Sequence, residues 1–167
     1  MSSAQTAAAS NAFWCKVSSS SAPACELCSG EGGDVVARTD KLRIVLVDDA
    51  RYPGFCRVIW QAHAKEMTDL PEADRSLLMQ AVWQAEEAVR AVMRPQKVNV
   101  ASLGNVVPHL HWHVIPRFID DAHFPDPVWA AIRREPGTDL DAAQLPSRKA
   151  LVPQLRHALS RRFSPAR

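Results

Sequence analysis

Three of the chain's six histidines, His109, His111 and His113, stand at alternate positions within the stretch Asn105-Val-Val-Pro-His-Leu-His-Trp-His-Val-Ile-Pro-Arg-Phe118. Leu110, Trp112 and Val114 fill the positions between them, the composition and period of a half-buried strand, which Pro116 closes. Period two puts the three imidazoles on one face and the apolar side chains on the other. Three readings of that face compete. A solvated strand face would mix Lys, Glu, Thr and Ser rather than repeat imidazole. A metal site made by the triad itself fails on length. At a rise of about 3.3 Å per residue, His109 and His113 are roughly 13 Å apart, so two neighbours could ligate one ion but three could not. A catalytic row remains, with the central His111 as nucleophile and its neighbours as phosphate contacts or proton donors.

The elements that must position this row follow from the rest of the chain. Val35-Val-Ala37 and Ile44-Val-Leu-Val47, separated by charged residues, predict a hairpin, and Phe55 to Trp60 a third strand after the Pro53-Gly54 turn. Apolar residues at helical spacing predict one long helix from Pro71 to about Met93, capped by Thr68 or Asp69 and stopped at Arg94-Pro95. Val98 to Leu103 predicts a strand that pairs antiparallel with the triad strand across a short turn, with Asn99 or Ser102 near substrate phosphate. Beyond Phe118, a short helix is expected over Val128–Arg134 and a last amphipathic helix over about Ser147–Arg162, with His157 on its surface. Asp120, Asp121 and His123 could hold a metal, but between prolines they read as a capped, solvated turn. The whole predicts an α+β fold, one antiparallel sheet with helices packed on it.

His109-Leu-His-Trp-His-Val-Ile115 resembles the histidine triad (HIT) motif, His-x-His-x-His followed by two apolar residues. Gly104-Asn105 before it and Pro116-Arg117 after it add to the resemblance, with Asn105 where the family usually has Gln and Val106 where it has Ser or Thr. The family comprises nucleotide hydrolases and transferases, and this stretch is similar to bacterial members labelled diadenosine tetraphosphate hydrolases. The resemblance spans roughly Cys25 to Arg117. It implies a HIT-like single domain over 25–118, preceded by a loose arm at 1–24 and followed by a helical extension at 119–167 that packs on the same domain.

The resemblance also implies roles. His111 would attack the α-phosphorus of a dinucleoside polyphosphate or nucleoside phosphoramidate and form a covalent nucleotidyl-histidine that water then releases. Asn105, His109 and His113 would contact phosphate, with His113 sharing the catalytic work, and Asp48 would meet the ribose. Catalysis would need no cofactor. His63, alone a surface histidine, ends the segment that corresponds to a family strand. Some members carry a set matching Cys25, Cys28, His63 and His109, which implies a structural zinc, although Cys25-Glu-Leu-Cys28 alone is compatible with two ordinary cysteines in a turn. A homodimer is the family habit, and Trp83 on the long helix suits one.

Two other functions stay open: a metal-dependent hydrolase in which His109 and His111 hold an ion with Asp120 or Asp121, and a noncatalytic nucleotide-binding module. Composition narrows the rest. With 167 residues, 47% of them hydrophobic, one domain is expected. A net charge of +2 with scattered Lys and Arg does not imply nucleic acid as a partner. No P-loop or GxGxxG occurs, so phosphate is not expected at a glycine-rich helix start. The first residues carry neither a charged n-region nor an apolar run, so a cytoplasmic protein without a membrane role is expected, its four cysteines reduced.

Overall fold

Five strands form one antiparallel sheet: β1 (Asp34–Arg38), β2 (Leu42–Leu46), β3 (Cys56–Trp60), β4 (Lys97–Ala101) and β5 (His111–Arg117), in the order β1-β2-β3-β5-β4. The structure, a computed structural model, describes residues 25–134 and 139–163, so the arm expected at 1–24 lies outside the described residues. The predicted hairpin is β1–β2, turned by Thr39, whose hydroxyl oxygen accepts from the Lys41 and Leu42 amides. β3 then pairs with both β2 and the triad strand.

That register sorts the side chains. Cys56, Val58, Trp60, Leu110, Trp112 and Val114 turn to one face and join the main core. There they meet α2 (Glu72–Met93), whose Leu78, Ala81, Val82, Ala85, Ala88, Val89 and Met93 recur every three or four residues. Three alanines in that stripe let the helix lie close on the sheet. Glu72 and Asp74 suit its positive end, and Arg94 ends it in the left-handed conformation, φ 49°, ahead of Pro95. The expected cap is corrected. Thr68 and Asp69 belong to a separate 3₁₀ turn, Met67–Asp69, where Asp69 and Glu66 cap each other, and Pro71 begins the helix without a side-chain cap.

Three further expectations change. The single last helix is two, α3 (Asp139–Ala150) and α4 (Val152–Phe163), because Pro153 has no N–H for the carbonyl four residues back. Leu155, Leu159 and Phe163 of α4 enter the same core as α2, and His157 is exposed as read. Val128–Arg134 forms no helix. The link from β4 to β5 is not a tight turn but the loop 102–110, which crosses to the β3 end, where the Leu110 amide donates to the Ala64 carbonyl at 2.7 Å. Among the described residues no helix is long and apolar enough to cross a membrane.

Candidate active site and metal centre

The other sheet face carries the chemistry. Residues directly opposed in an antiparallel pair share a face, and the pairs Ile59–His111 and Arg57–His113 therefore set Arg57 beside the two imidazoles. The rings of His111 and His113 meet edge to face, centroids 4.7 Å apart, and both are nearly enclosed. His111 Nδ1 lies 2.5 Å from the His109 carbonyl oxygen. A carbonyl only accepts, so the proton is on Nδ1 and Nε2 keeps its lone pair. The Ser102 hydroxyl, expected near phosphate, instead donates to the His111 carbonyl at 2.9 Å and pins the strand at this residue. Burial lowers the His111 pKa, the His109 carbonyl opposes that, and the Arg57 charge adds to the lowering. For His113, burial and then the charges of His111 and Arg57 push the pKa down to about 3. Both rings are neutral at pH 7.

The His113 ring is walled by Phe55, at 5.6 Å between centroids, and by Trp129 at 5.0 Å, and its Nδ1 is buried without a partner. Trp129 stands on a segment held down by buried polar groups. Arg117 grips Asp121 through Nε and Nη2 at 2.7 and 2.9 Å, and Asp121 accepts from the Phe118, His123 and Phe124 amides. The solvated turn is thus corrected. Asp121 and His123 are 2% and 3% exposed, and His123 Nδ1 hydrogen-bonds the Tyr52 hydroxyl. Asp120 pairs with Arg148, so neither carboxylate is a ligand in waiting for His109 and His111. Asn99 accepts from Arg117 at 2.5 Å rather than facing a phosphate. Asn105 is exposed in the loop after Gly104, which takes φ 85°, and Asp48 is exposed just beyond β2.

His109 belongs to a different centre. Its Nε2 donates to the Trp60 carbonyl at 2.7 Å, which leaves a bare Nδ1 aimed at two sulfurs, Cys25 Sγ and Cys28 Sγ, each at 3.4 Å. His63 Nδ1 is 3.3 Å from Cys28 Sγ. The turn α1 (Glu26–Ser29) brings the two thiols together, its Cys28 and Ser29 amides both donating to the Cys25 carbonyl. The four donor atoms of Cys25, Cys28, His63 and His109 lie within 4.8 Å of one another, and among the described residues they form the one grouping with metal-ligand spacing. Bonds of about 2.3 Å to sulfur and 2.0 Å to nitrogen give a zinc tetrahedron S···N edges of about 3.5 Å, so the donor set fits that ion. Burial, and next the Cys25 thiol, raise the Cys28 pKa, which a bound cation would reverse. Arg43 braces the loop behind it, donating to the carbonyls of Leu27, Gly30 and Glu31 and to Gln61. With both ring nitrogens engaged, His109 has none for a phosphate oxygen.

A cleft of about 580 Å³ opens beside His63, lined by Trp60, Leu70 and Pro71 with a charged rim of Asp40, Lys41 and Asp74. Neither His111 nor His113 lines it, so it lies apart from the nucleophile. Two site residues escaped sequence reading. Arg57 looked like an ordinary strand residue, although its alternation with Cys56 and Val58 already set it on the triad's face. Trp129 lies past the motif, and no local pattern tied it to His113.

A fold with this sheet order, a long helix and a second, shorter one packed on its apolar face and an imidazole row on the other defines a class, and the comparisons agree with it. The HIT domain model matches residues 31–120, and the chain belongs to the histidine triad (HIT domain) family. A histidine triad protein from Bradyrhizobium japonicum superposes with a TM-score of 0.62 at 28% identity, covering 80% of this chain and 92% of that one. Another, from Marinobacter aquaeolei, gives 0.57 at 26%, covering 78% and 95%. A zinc-bound histidine triad family protein from Mycobacterium smegmatis shares the fold, with a TM-score of 0.54 at 21% identity over 83% of this chain and 94% of that one. A Mycobacterium tuberculosis protein named AP-4-A phosphorylase is 33% identical over 102 residues, 58% of this chain. The chain spans about half the length of the curated relatives it matches, 52%.

Proposed function

We propose that this chain transfers nucleotidyl groups, acting at the α-phosphate of dinucleoside polyphosphates or nucleoside phosphoramidates through a covalent intermediate on His111. The observation that carries the reading is the His111 ring: Nδ1–H held by the His109 carbonyl, Nε2 bare, and neutral His113 alongside. Nε2 attacks the α-phosphorus, a P–N bond forms, and the bond from phosphorus to the leaving oxygen or nitrogen breaks with its electron pair going to the leaving group. The ring, still protonated at Nδ1, becomes cationic, and the His109 carbonyl stabilises that charge. Water then attacks phosphorus from the opposite side, the P–N pair returns to Nε2, and a nucleoside monophosphate leaves with the spare proton passing to solvent. His113, neutral, offers one ring N–H to phosphoryl oxygens, and in this reading exposed Asp48, just beyond β2, meets the ribose and exposed Asn105 a phosphate.

In this reading Cys25, Cys28, His63 and His109 hold a zinc that ties the first described turn to the sheet. It takes no part in bond making. The name of the mycobacterial relative favours a second acceptor, orthophosphate, which would convert the same intermediate to a nucleoside diphosphate. Products decide between them. Diadenosine tetraphosphate incubated with and without phosphate should give AMP plus ATP by hydrolysis, or ADP plus ATP by phosphorolysis. Mass spectrometry of quenched enzyme should find adenylate on His111, absent in His111→Asn, with kcat lowered by about 10³-fold or more and the melting temperature unchanged. Normal turnover by His111→Asn would end the mechanism, and turnover abolished by EDTA while the melting temperature stays unchanged would favour the metal-dependent alternative. If no nucleotide ester turns over while nucleotides still bind, the chain is a binding module.

A further inference from the structure

Four arginines stand on the imidazole face of the sheet; Arg38, at its edge on β1, pairs with Glu31, and two of the others are fully engaged by the protein. Arg43 donates to the loop carbonyls behind the metal set and to Gln61. Arg117 holds Asp121, Asn99 and the Asp126 carbonyl. Arg57 is different. One Nη donates to the Gly32 carbonyl at 3.0 Å, the guanidinium lies over the Phe55 ring at 5.7 Å, and its Nε is buried with no partner. None of the ion pairs found among the described residues includes it. Its strand partner is His113, and its charge is felt by both His113 and His111. The Glu26 carboxylate acts on it only through space, without an ion-pair contact, and a half-buried guanidinium with an unpartnered Nε is costly unless an anion completes it.

The rest of the face is short of donors. His109 has both nitrogens engaged, and loop 102–110 presents an exposed Val106 beside Asn105. We propose that Arg57 is a phosphate-contacting residue of this site, its guanidinium gripping nonbridging oxygens of the phosphate that His111 attacks. The inference rests on the nucleotide reading above and adds to it the cation. A planar guanidinium fork matches two phosphate oxygens at once, which an ammonium does not. Gly32 is what lets the fork approach. At φ 76°, a Cβ there would stand 2.5 Å from Leu27 and 2.9 Å from Ile59, so the loop sits directly on the sheet and its carbonyl steadies one Nη.

The test uses Arg57→Gln and Arg57→Lys in the full chain, with AMP and adenosine binding measured by calorimetry, turnover of diadenosine tetraphosphate, and melting temperature. The expected result is AMP affinity weakened at least tenfold in Arg57→Gln with adenosine affinity unchanged, and kcat lowered by about 100-fold. Lys should restore part of both. Guanidinium added to Arg57→Ala should raise its turnover severalfold. If wild-type protein binds AMP and Arg57→Gln binds it equally well, the role of Arg57 is overturned while the nucleotide reading stands. Equal losses for AMP and adenosine, with a lower melting temperature, would make Arg57 a brace for the Gly32 loop and also overturn it. A wild-type protein that binds neither AMP nor diadenosine tetraphosphate takes down the nucleotide reading and this proposal together.

Discussion

His113 shows how burial tunes a side chain more than its neighbours in sequence do. Its ring lies between Phe55 and Trp129 with Arg57 across the strand, and together burial and the nearby positive charges set its pKa at about 3. In the unfolded chain an imidazole titrates near 6.5. The folded value is depressed, so between those two pH values the unfolded state binds the extra proton. His113 therefore contributes stability in full above about pH 6.5 and loses it as pH falls towards about 3. The expected outcome is a His113 ring resonance that does not move between pH 7 and pH 5, with a melting temperature that falls over that range less steeply in His113→Gln. A titration midpoint near 6.5 would mean that water reaches the ring, and the walled site would be wrong. His113 is then a fixed hydrogen-bond donor rather than a proton shuttle near neutrality, which suits a reaction whose nucleophile needs no general base.

The strands and α2 were legible because their apolar residues repeat with one period. Leu110, Trp112 and Val114 alternate, and Leu78, Ala81, Val82, Ala85 and Val89 recur at helical spacing, so local pattern and tertiary packing point the same way. The misses lie where one residue overrides a pattern. Leu155 and Leu159 continue a helical stripe through Leu151, but Pro153 splits it. Asp121 and His123 are polar in a proline-rich run and yet buried, Asp121 by the Arg117 guanidinium four residues earlier at the end of β5 and His123 by Tyr52, 71 positions away in the chain. Long-range partners leave no local signal. The metal set is an element-scale case, with α1 giving two thiols, the β3 end giving His63 and loop 102–110 giving His109. Protein purified without added metal should carry about one zinc per chain. Cys25→Ser/Cys28→Ser should lose it and melt roughly 5–15 °C lower, since a closed four-ligand site contributes directly to folding. Less than a tenth of an equivalent, with melting unchanged by EDTA, would show that the thiols only pack.

At the scale of the molecule the two sheet edges are treated differently. α4 packs beside β1, with Arg156 donating to the Val35 carbonyl and pairing with Asp34. β4 closes the other edge of the order, with Val100 37% exposed, and among the described residues no strand pairs beyond it. An edge strand with free backbone donors and acceptors invites another chain, and soluble proteins cover it, charge it or pair it. Lys97 charges one end only. On α2, which packs near β4, Trp83 is 56% exposed, a large apolar ring with no place in the chain's own core. A second copy related by a two-fold axis could cover β4 and the exposed ring together, since a closed symmetric interface presents the same patch from each side. The expected state is therefore a homodimer, and light scattering at micromolar concentration should give twice the 18.4 kDa chain mass. Trp83→Glu should shift that mass towards the single chain without changing far-ultraviolet circular dichroism, because the ring supports no internal contact of the main core. The imidazole face and the metal set each come from one chain, so a monomeric variant should carry as much zinc as the wild-type protein. Wild-type protein with the single-chain mass at micromolar concentration would refute the dimer.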